Sequence, residues 1–207
     1  SSFRSVIVAG TNGKGSVVAM ADHALRAAGY RVGRYTSPHL QVLAERFVVD
    51  GAAITEPALR REATGFHEQV ERLLADGRLR HPPTFFEATT AIALSWFRRT
   101  GVDLALLEVG LGGRLDATNI VTPVAGVITP IGLEHRQHLG DTIAAIAAEK
   151  AGVIKTGMVV VTTETAPAVV ALFEETCRER GARLVRAEVG TVVRVACIGD
   201  QSEIQVT

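Results

Sequence analysis

A short apolar segment, a glycine-rich loop and a helical pattern follow one another near the start of this chain. The segment 4–9 is apolar and β-branched, and it ends at Gly10-Thr11-Asn12-Gly13-Lys14-Gly15-Ser16. Apolar residues then recur at helical spacing from Val17 to Leu25. Glycines let the main chain approach an anion closely, and the free N–H groups of a first helical turn attract phosphate oxygens. The pattern therefore predicts a phosphate-binding loop over 10–16, in which Lys14 reaches the β- and γ-phosphates of a nucleotide.

The loop departs from the usual phosphate-loop pattern G-x-x-x-x-G-K-[ST]. Val8 stands at the position of the first glycine, and Gly15 follows Lys14 where Ser or Thr would hold magnesium. The alternative is an ordinary turn between a strand and a helix, where Gly and Asn are common. A lysine among the glycines has no role in forming a turn, so we favour the phosphate loop.

The rest of the chain alternates between strand-like and helix-like segments. Strands are predicted at 4–9, 31–35, 46–49, 52–54, 104–109, 124–129, 158–162 and 183–185, and helices at 15–28, 56–75, 86–99, 142–150 and 168–180. The end of the chain, 190–207, has strand-like alternation. This order predicts an α/β fold with an open, mostly parallel sheet and helices on both faces.

Composition excludes some classes of function. The 207 residues carry 22 basic and 22 acidic side chains, so no basic excess indicates a nucleic-acid partner. No apolar run approaches the ~18 residues of a membrane span, and Ser1–Arg4 does not begin a signal peptide. Cys177 and Cys197 lack metal-site spacing, which favours reduced thiols in a cytoplasmic protein.

Lysine is rare among the basic residues. Only Lys14, Lys150 and Lys155 are lysines, and the other basic residues are arginines. An amine can lose its proton and react, whereas a guanidinium cannot. Lys150 is therefore a candidate for chemistry, although it could simply close a helix and interact with the negative end of the helix dipole.

Polar loops follow four of the predicted strands, at 10–16, 36–39, 110–119 and 130–140. Ligands of parallel sheets bind at the carboxyl ends of the strands, so these loops predict one site. Glu108 could hold magnesium there, and the Ser37 hydroxyl could supply the oxygen that Gly15 lacks. His135 could bind a second metal. The alternatives are a solvent-facing glutamate, a turn serine and a loop histidine.

Three further features could belong to the same site. The Lys150 amine could add carbon dioxide and form a carbamate, which is an anionic oxygen ligand for metals. The loop 111–119 combines flexible glycines with Arg114, Asp116 and Asn119, as suits a polar ligand. The segment Thr84-Phe85-Phe86-Glu87 offers two aromatic rings and a carboxylate, although the rings could simply pack in the core.

These segments match a known family. The chain resembles the folylpolyglutamate synthase/dihydrofolate synthase family, a branch of the Mur-type ATP-dependent amide ligases. Six segments between residues 8 and 155 carry the resemblance: VAGTNGKGSV, GYRVGRYTSPHL, FFEATTAIA, LEVGLGGRLDATN, ITPIGLEHRQHLGDT and EKAGVIK. GTNGKGS indicates the superfamily, and LEVGLGGRLDATN together with TSPHL indicates the folate branch.

The resemblance implies a reaction and its cofactors. ATP phosphorylates a carboxylate of dihydropteroate or a folate, and the amine of L-glutamate attacks the acyl phosphate to form an amide. The family pattern makes 1–190 the ATP-binding central domain of a Mur ligase, with a phosphate-loop NTPase-like fold, and 191–207 a strand-like end of that domain. It implies ATP and two magnesium ions as cofactors.

The resemblance also assigns residues. The nucleotide phosphates are assigned to Gly10, Thr11, Asn12, Gly13, Lys14, Gly15 and Ser16. Ser37 and Glu108 match ligands of one magnesium, while His135 and a carbamylated Lys150 match ligands of the other. Catalytic roles fall to Lys14, Lys150 and His135, and pterin contacts to Thr84, Phe85, Phe86, Glu87, Leu115, Asp116 and Ala117.

The chain departs from the family pattern at several positions. The family usually has Asp at the position of Glu134 and Asn at the position of Ala44, and it often has Thr at the position of Arg136. An N-terminal helical segment and a C-terminal ligase domain of family members have no counterpart, so this sequence alone is expected not to ligate. Two other interpretations remain, namely a different Mur-type ligase, acting on a cell-wall precursor or a polyglutamate chain, and a nucleotide-binding module that does not catalyse.

Overall fold

In the computed structural model, which describes residues 3–187, 193–198 and 201–206, eight strands form one sheet. They are β1 (Arg4–Ala9), β2 (Val32–Tyr35), β3 (Phe47–Val49), β4 (Ala52–Ala53), β5 (Leu104–Glu108), β6 (Ala125–Ile128), β7 (Val159–Thr162) and β8 (Arg183–Arg186). The helices are α1 (Lys14–Ala27), α2 (Glu56–Ala75), α3 (Phe85–Thr100), α4 (Arg136–Leu139), α5 (Ile143–Ala151) and α6 (Pro167–Glu179). Two further strands, β9 (Val193–Ile198) and β10 (Gln201–Val206), pair with each other as an antiparallel two-stranded sheet.

The strand order in the large sheet is β4-β3-β2-β5-β1-β6-β7-β8. All neighbours from β2 to β8 pair in parallel, and β3 and β4 add an antiparallel hairpin at one edge. β1 lies in the middle of the sheet, where Val8 pairs with Glu108 on one side and Val127 on the other. The predicted mostly parallel α/β sheet is confirmed.

Helices cover both faces of the sheet because alternate residues of each strand point to opposite sides. On one face, Ile7 belongs to a buried cluster with Phe173 of α6, and Leu107 to one with Phe97 of α3. On the other face, Val8 and Leu106 share a cluster with Val18 of α1. The predicted covering of both faces is therefore confirmed.

Side-chain caps fix the start of two helices that border the carboxyl edge of the sheet. At α3, the Thr84 hydroxyl accepts a hydrogen bond from Glu87 N at 3.3 Å, and the Glu87 carboxylate accepts one from Thr84 N at 2.7 Å. This reciprocal pair satisfies two N–H groups that the helix leaves open. At α5, the Thr142 hydroxyl accepts a hydrogen bond from Ala145 N at 3.1 Å.

The observed elements differ from the predicted ones mainly at their ends. Most boundaries move by one or two residues, and α4 lies inside the predicted loop 130–140. The predicted strand-like end appears as the β9–β10 pair, whereas residues 1–2, 188–192, 199–200 and 207 lie outside the described residues. The division into 1–190 and 191–207 stays a prediction. None of the helices in the described residues combines the length and the apolar composition that crossing a bilayer requires.

Candidate active site

The phosphate loop, residues 10–16, joins β1 to α1 at the centre of the sheet. Gly10 has a φ of 132°, and a Cβ there would lie 1.8 Å from the Thr129 hydroxyl, so only glycine fits. Gly13, the residue just before α1, has the left-handed conformation with a φ of 86°. Within the described parts of the chain, none of the main-chain N–H groups from Asn12 to Ser16 donates a hydrogen bond. These open donors at a helix start are suited to an anion.

The Lys14 side chain folds back over the phosphate loop. Its Nζ donates hydrogen bonds to the carbonyl oxygens of Gly10 and Thr11, both at 3.0 Å. The ammonium group therefore lies at the loop, and it forms no salt bridge with the described residues. A phosphate placed on the loop would lie within reach of this charge.

Thr11 connects the phosphate loop to the segment that follows β6. Its main-chain N–H donates to Pro130 O at 3.2 Å, and its hydroxyl accepts a hydrogen bond from Gly132 N at 2.9 Å. The Thr11 side chain is thus used to join two loops, and its main chain remains part of the phosphate loop.

Glu108 ends β5 beside the start of α1. Only 6% of the residue is exposed, and its Oε2 accepts a hydrogen bond from Ser37 N at 3.0 Å. Burial raises the pKa of Glu108, although the Ser37 N–H and the charges of Lys14 and Arg34 oppose that rise. A Cβ on Gly15 would lie 3.7 Å from Glu108 Oε1, so the missing side chain leaves this carboxylate next to the phosphate loop.

The donors around Glu108 fit one magnesium ion. Oε1 accepts no hydrogen bond within the described residues, and Ser37, whose main-chain N–H bonds to Oε2, also carries a hydroxyl. Carboxylate and hydroxyl oxygens are hard ligands of the kind that Mg²⁺ takes together with phosphate oxygens.

Lys150 and His135, the predicted ligands of a second metal, have different surroundings, and their role as ligands stays a prediction. Lys150 is 2% exposed, and its Nζ donates to Glu134 Oε1 at 2.5 Å and to Gly10 O at 2.9 Å. Burial lowers the pKa of Lys150, while its contact with Glu134 opposes the change. His135 is exposed, and no group of three His, Cys, Asp or Glu residues that could hold a metal occurs among the described residues. A carbamate on Lys150 would put a second anion against Glu134, so carbamylation stays a prediction.

A cavity of about 760 Å³ opens beside Ser37 and Glu108. Six of the seven residues predicted to contact a pterin line this cavity, and so does His135. The lining consists of Ser37, Pro38, Arg46, Thr84, Phe86, Glu87, Gly110, Leu111, Gly112, Gly113, Leu115, Asp116, Ala117, His135, Leu139 and Glu149. Phe85 is not in the lining; the Arg46 guanidinium lies over its ring, with Cζ 5.4 Å from the ring centroid.

The two carboxylates that the family pattern assigns to pterin contacts are already used within the protein. Glu87 caps α3, as described above. Asp116 Oδ2 accepts hydrogen bonds from Gly110 N at 3.0 Å and Leu111 N at 2.9 Å, and its Oδ1 accepts from Thr118 N at 2.9 Å. Asp116 therefore shapes the glycine-rich loop after β5, and the exposed Leu115 is the neighbour free to meet a ligand.

Sequence reasoning missed Arg46 as a site residue. The residue is 7% exposed, lines the cavity, and donates from Nε to His39 Nδ1 at 2.9 Å. Its position at the start of a predicted strand did not indicate that its side chain would contact the loop 36–39. The side chain of Arg136, one of the departures from the family pattern, lies outside what the structure describes.

Known proteins resemble this chain closely in sequence and structure. No protein-family model matches it. A probable bifunctional folylpolyglutamate synthase/dihydropteroate synthase of Haloferax volcanii is 48% identical over 170 residues, which is 82% of this chain and 20% of that protein. The dihydrofolate synthase/folylpolyglutamate synthase of Bacillus subtilis is 45% identical over 166 residues, or 80% of this chain and 38% of that protein.

A solved FPGS-AMPPCP-folate complex superimposes with a TM-score of 0.92 at 37% identity, covering 99% of this chain and 50% of that chain. The chain thus spans half or less of the length of these relatives. The motifs at 10–16, 36–39 and 108–119 lie together at one edge of a sheet that these proteins share. Over the region in common, the chain belongs to the folylpolyglutamate synthase/dihydrofolate synthase family.

Proposed function

We propose that the protein containing this sequence is an ATP-dependent ligase that joins L-glutamate to dihydropteroate or to a folate. This part would bind the nucleotide, magnesium and the pterin substrate. One observation carries the proposal: Ser37 holds Glu108 beside the phosphate loop through its N–H and also lines the 760 Å³ cavity. A nucleotide on the loop and a substrate in the cavity would therefore meet at Ser37.

The chain's own residues account for the first chemical step. The open N–H groups from Asn12 to Ser16 bind the triphosphate, and Lys14 leaves the carbonyl oxygens of Gly10 and Thr11 to contact the β- and γ-phosphates. Glu108 and Ser37 would hold magnesium, which neutralises charge on the phosphoryl group being transferred. A substrate carboxylate oxygen attacks the γ-phosphorus, and ADP leaves.

The second step forms the amide. The amine nitrogen of glutamate attacks the acyl carbon, inorganic phosphate leaves, and the nitrogen loses a proton. Phe86 and the glycine-rich loop after β5 line the cavity in which the acyl phosphate would lie. No step is assigned to a second metal, because Lys150 is paired with Glu134.

Trapping of the acyl phosphate tests this function. The protein containing this sequence is incubated with MgATP, hydroxylamine and either dihydropteroate or folate, in the absence of glutamate. We expect a pterin hydroxamate that forms only with ATP and is lost in Lys14→Ala. A hydroxamate formed from a muramyl nucleotide, and from neither pterin, would instead place the protein with another Mur-type ligase.

A second candidate is a nucleotide-binding module that does not catalyse. The ion pair between Lys150 and Glu134 favours it, since it occupies the amine that the family pattern assigns to chemistry. MgATP binding without hydroxamate from any carboxylate substrate would support this candidate over the ligase.

A further inference from the structure

Glu164 is a buried carboxylate that the sequence analysis did not single out. It lies between β7 and α6 and is 7% exposed. Its Oε1 accepts hydrogen bonds from Thr165 N and Ala166 N, both at 2.8 Å, and its Oε2 accepts one from Ile131 N at 2.7 Å. Every partner of the carboxylate is an N–H donor, so the ionised form fits this position.

Ile131 belongs to the segment that the phosphate loop contacts through Thr11. Ile131 lies between Pro130 and Gly132, and both of these neighbours bond to Thr11. Glu164 therefore holds this three-residue segment from one side, while Thr11 holds it from the other. The main chain of Glu164 is fixed in turn, because its N–H donates to the Thr162 hydroxyl at 3.1 Å and that hydroxyl donates to Ile128 O at 2.7 Å.

We propose that Glu164 is a positioning residue for the nucleotide phosphates. By fixing 130–132, it keeps Thr11 and the phosphate loop in the conformation that leaves the N–H groups of Asn12–Ser16 open. The inference rests on the proposed nucleotide binding. If the phosphate loop adopts this conformation for a smaller fraction of the time, the apparent affinity for MgATP falls by the same factor.

Glu62 provides a matched control. It is also a buried carboxylate, and it pairs with Arg99 Nε at 3.2 Å and accepts a hydrogen bond from the Ser95 hydroxyl at 3.4 Å. These partners lie on α3 and not on the phosphate loop. Substitution of Glu62 therefore removes buried polar contacts of a similar kind, but it leaves the contacts of the segment 130–132 in place.

The test measures MgATP affinity by calorimetry for the wild-type chain, Glu164→Ala, Glu164→Gln and Glu62→Ala, at a temperature where circular dichroism shows each to be folded. We expect about tenfold weaker binding for Glu164→Ala. Glu164→Gln keeps the size of the side chain but points an amide N–H₂ at one of the N–H donors, so it weakens binding in the same direction. Glu62→Ala binds like the wild type even though it unfolds at a lower temperature.

Two results would overturn the inference while the proposed function stands. One is wild-type affinity in the Glu164 variants, and the other is equal weakening in Glu62→Ala. If Glu164→Ala does not fold, the result with Glu164→Gln decides. A wild-type chain that binds no MgATP would refute the proposed function and this inference with it.

Discussion

Two lysine ammonium groups meet at one carbonyl oxygen in this protein. Gly10 O accepts hydrogen bonds from Lys14 Nζ at 3.0 Å and from Lys150 Nζ at 2.9 Å. Glu134 pairs with Lys150, whereas Lys14 forms no salt bridge among the described residues, although its charge acts on the nearby Glu108. The Lys14 ammonium group is therefore available to a phosphate bound on the loop.

Substitution of Lys150 distinguishes the two roles that its amine could have. If the family carbamate forms, we expect Lys150→Ala to lose ligase activity and to regain part of it with short carboxylic acids such as acetate. Lys150→Arg keeps the charge but cannot form a carbamate, so it should remain inactive. Steady-state ligase assays of the protein containing this sequence measure both variants.

The opposite pattern would contradict carbamylation. Near-normal activity of Lys150→Arg, with no rescue of Lys150→Ala, would mean that a positive charge beside Gly10 and Glu134 is what the site requires.

Acid should remove the stabilising effect of Glu164. Burial alone would raise the pKa of this carboxyl, but hydrogen bonds from Ala166, Ile131 and Thr165 together lower the pKa below its ordinary value of 4.5. A depressed folded-state pKa adds stability above the unfolded-state pKa, and this stability is lost as the pH falls through the folded-state value. Glu164→Gln cannot ionise. We therefore expect the difference in urea midpoint between wild type and Glu164→Gln to be largest near neutral pH and to shrink towards about pH 3.

A difference that stays constant or grows on acidification would contradict the assigned ionised state of Glu164. Glu62→Gln serves as a comparison for the general effect of losing a buried carboxylate.

Residue types in loops predicted part of this site but not all of it. Lys14, Ser37 and Glu108 were identified because each lies at or just after the carboxyl end of a strand, and parallel strands bring such positions to one edge. Arg46 and Glu164 depend on how separate loops pack against each other. No local sequence pattern predicts that the Glu164 carboxylate accepts a hydrogen bond from Ile131 N, 33 residues earlier in the chain.

The contact between β2 and α3 depends on a glycine. A Cβ on Gly33 would lie 2.8 Å from the ring of Phe97, which is fully buried. In contrast, Gly65 lies in the exposed part of α2, where a Cβ would meet nothing within 4 Å. The same substitution is therefore expected to have opposite effects at these two positions.

We expect Gly33→Ala to destabilise the protein by about 1–3 kcal/mol, because Phe97 must leave its position in a filled core. Gly65→Ala should stabilise it by about 0.5–1 kcal/mol, since alanine loses less conformational entropy in a helix. Urea unfolding of both variants gives the two free energies. A neutral Gly33→Ala would show that α3 does not pack on β2 as described.

Local signals located most elements well. Strand 4–9 and helix 56–75 were predicted with the bounds that the structure shows, since an apolar run and a long amphipathic pattern each fix the element type. α4 was missed because four residues are too few to show a helical period.

The order of strands in the sheet explains why the phosphate loop, Glu108 and the segment 130–135 meet. β1 lies between β5 and β6, so the loops that follow these three strands are neighbours. The sequence predicted a parallel sheet from the alternation of strands and helices. It did not predict the order β2-β5-β1-β6, which depends on pairing between segments about a hundred residues apart, such as Val8 and Glu108.

The most direct test of the account is to observe which main-chain amides respond to MgATP. In a ¹⁵N-edited NMR titration of this 207-residue chain, we expect the largest shifts at the amides of Asn12–Ser16, with smaller ones at Ser37 and Glu108. Lys14→Ala should require a far higher MgATP concentration for the same shifts. Saturable binding whose shifts lie away from residues 10–16, or that Lys14→Ala leaves unchanged, would contradict the claim that this loop holds the nucleotide phosphates.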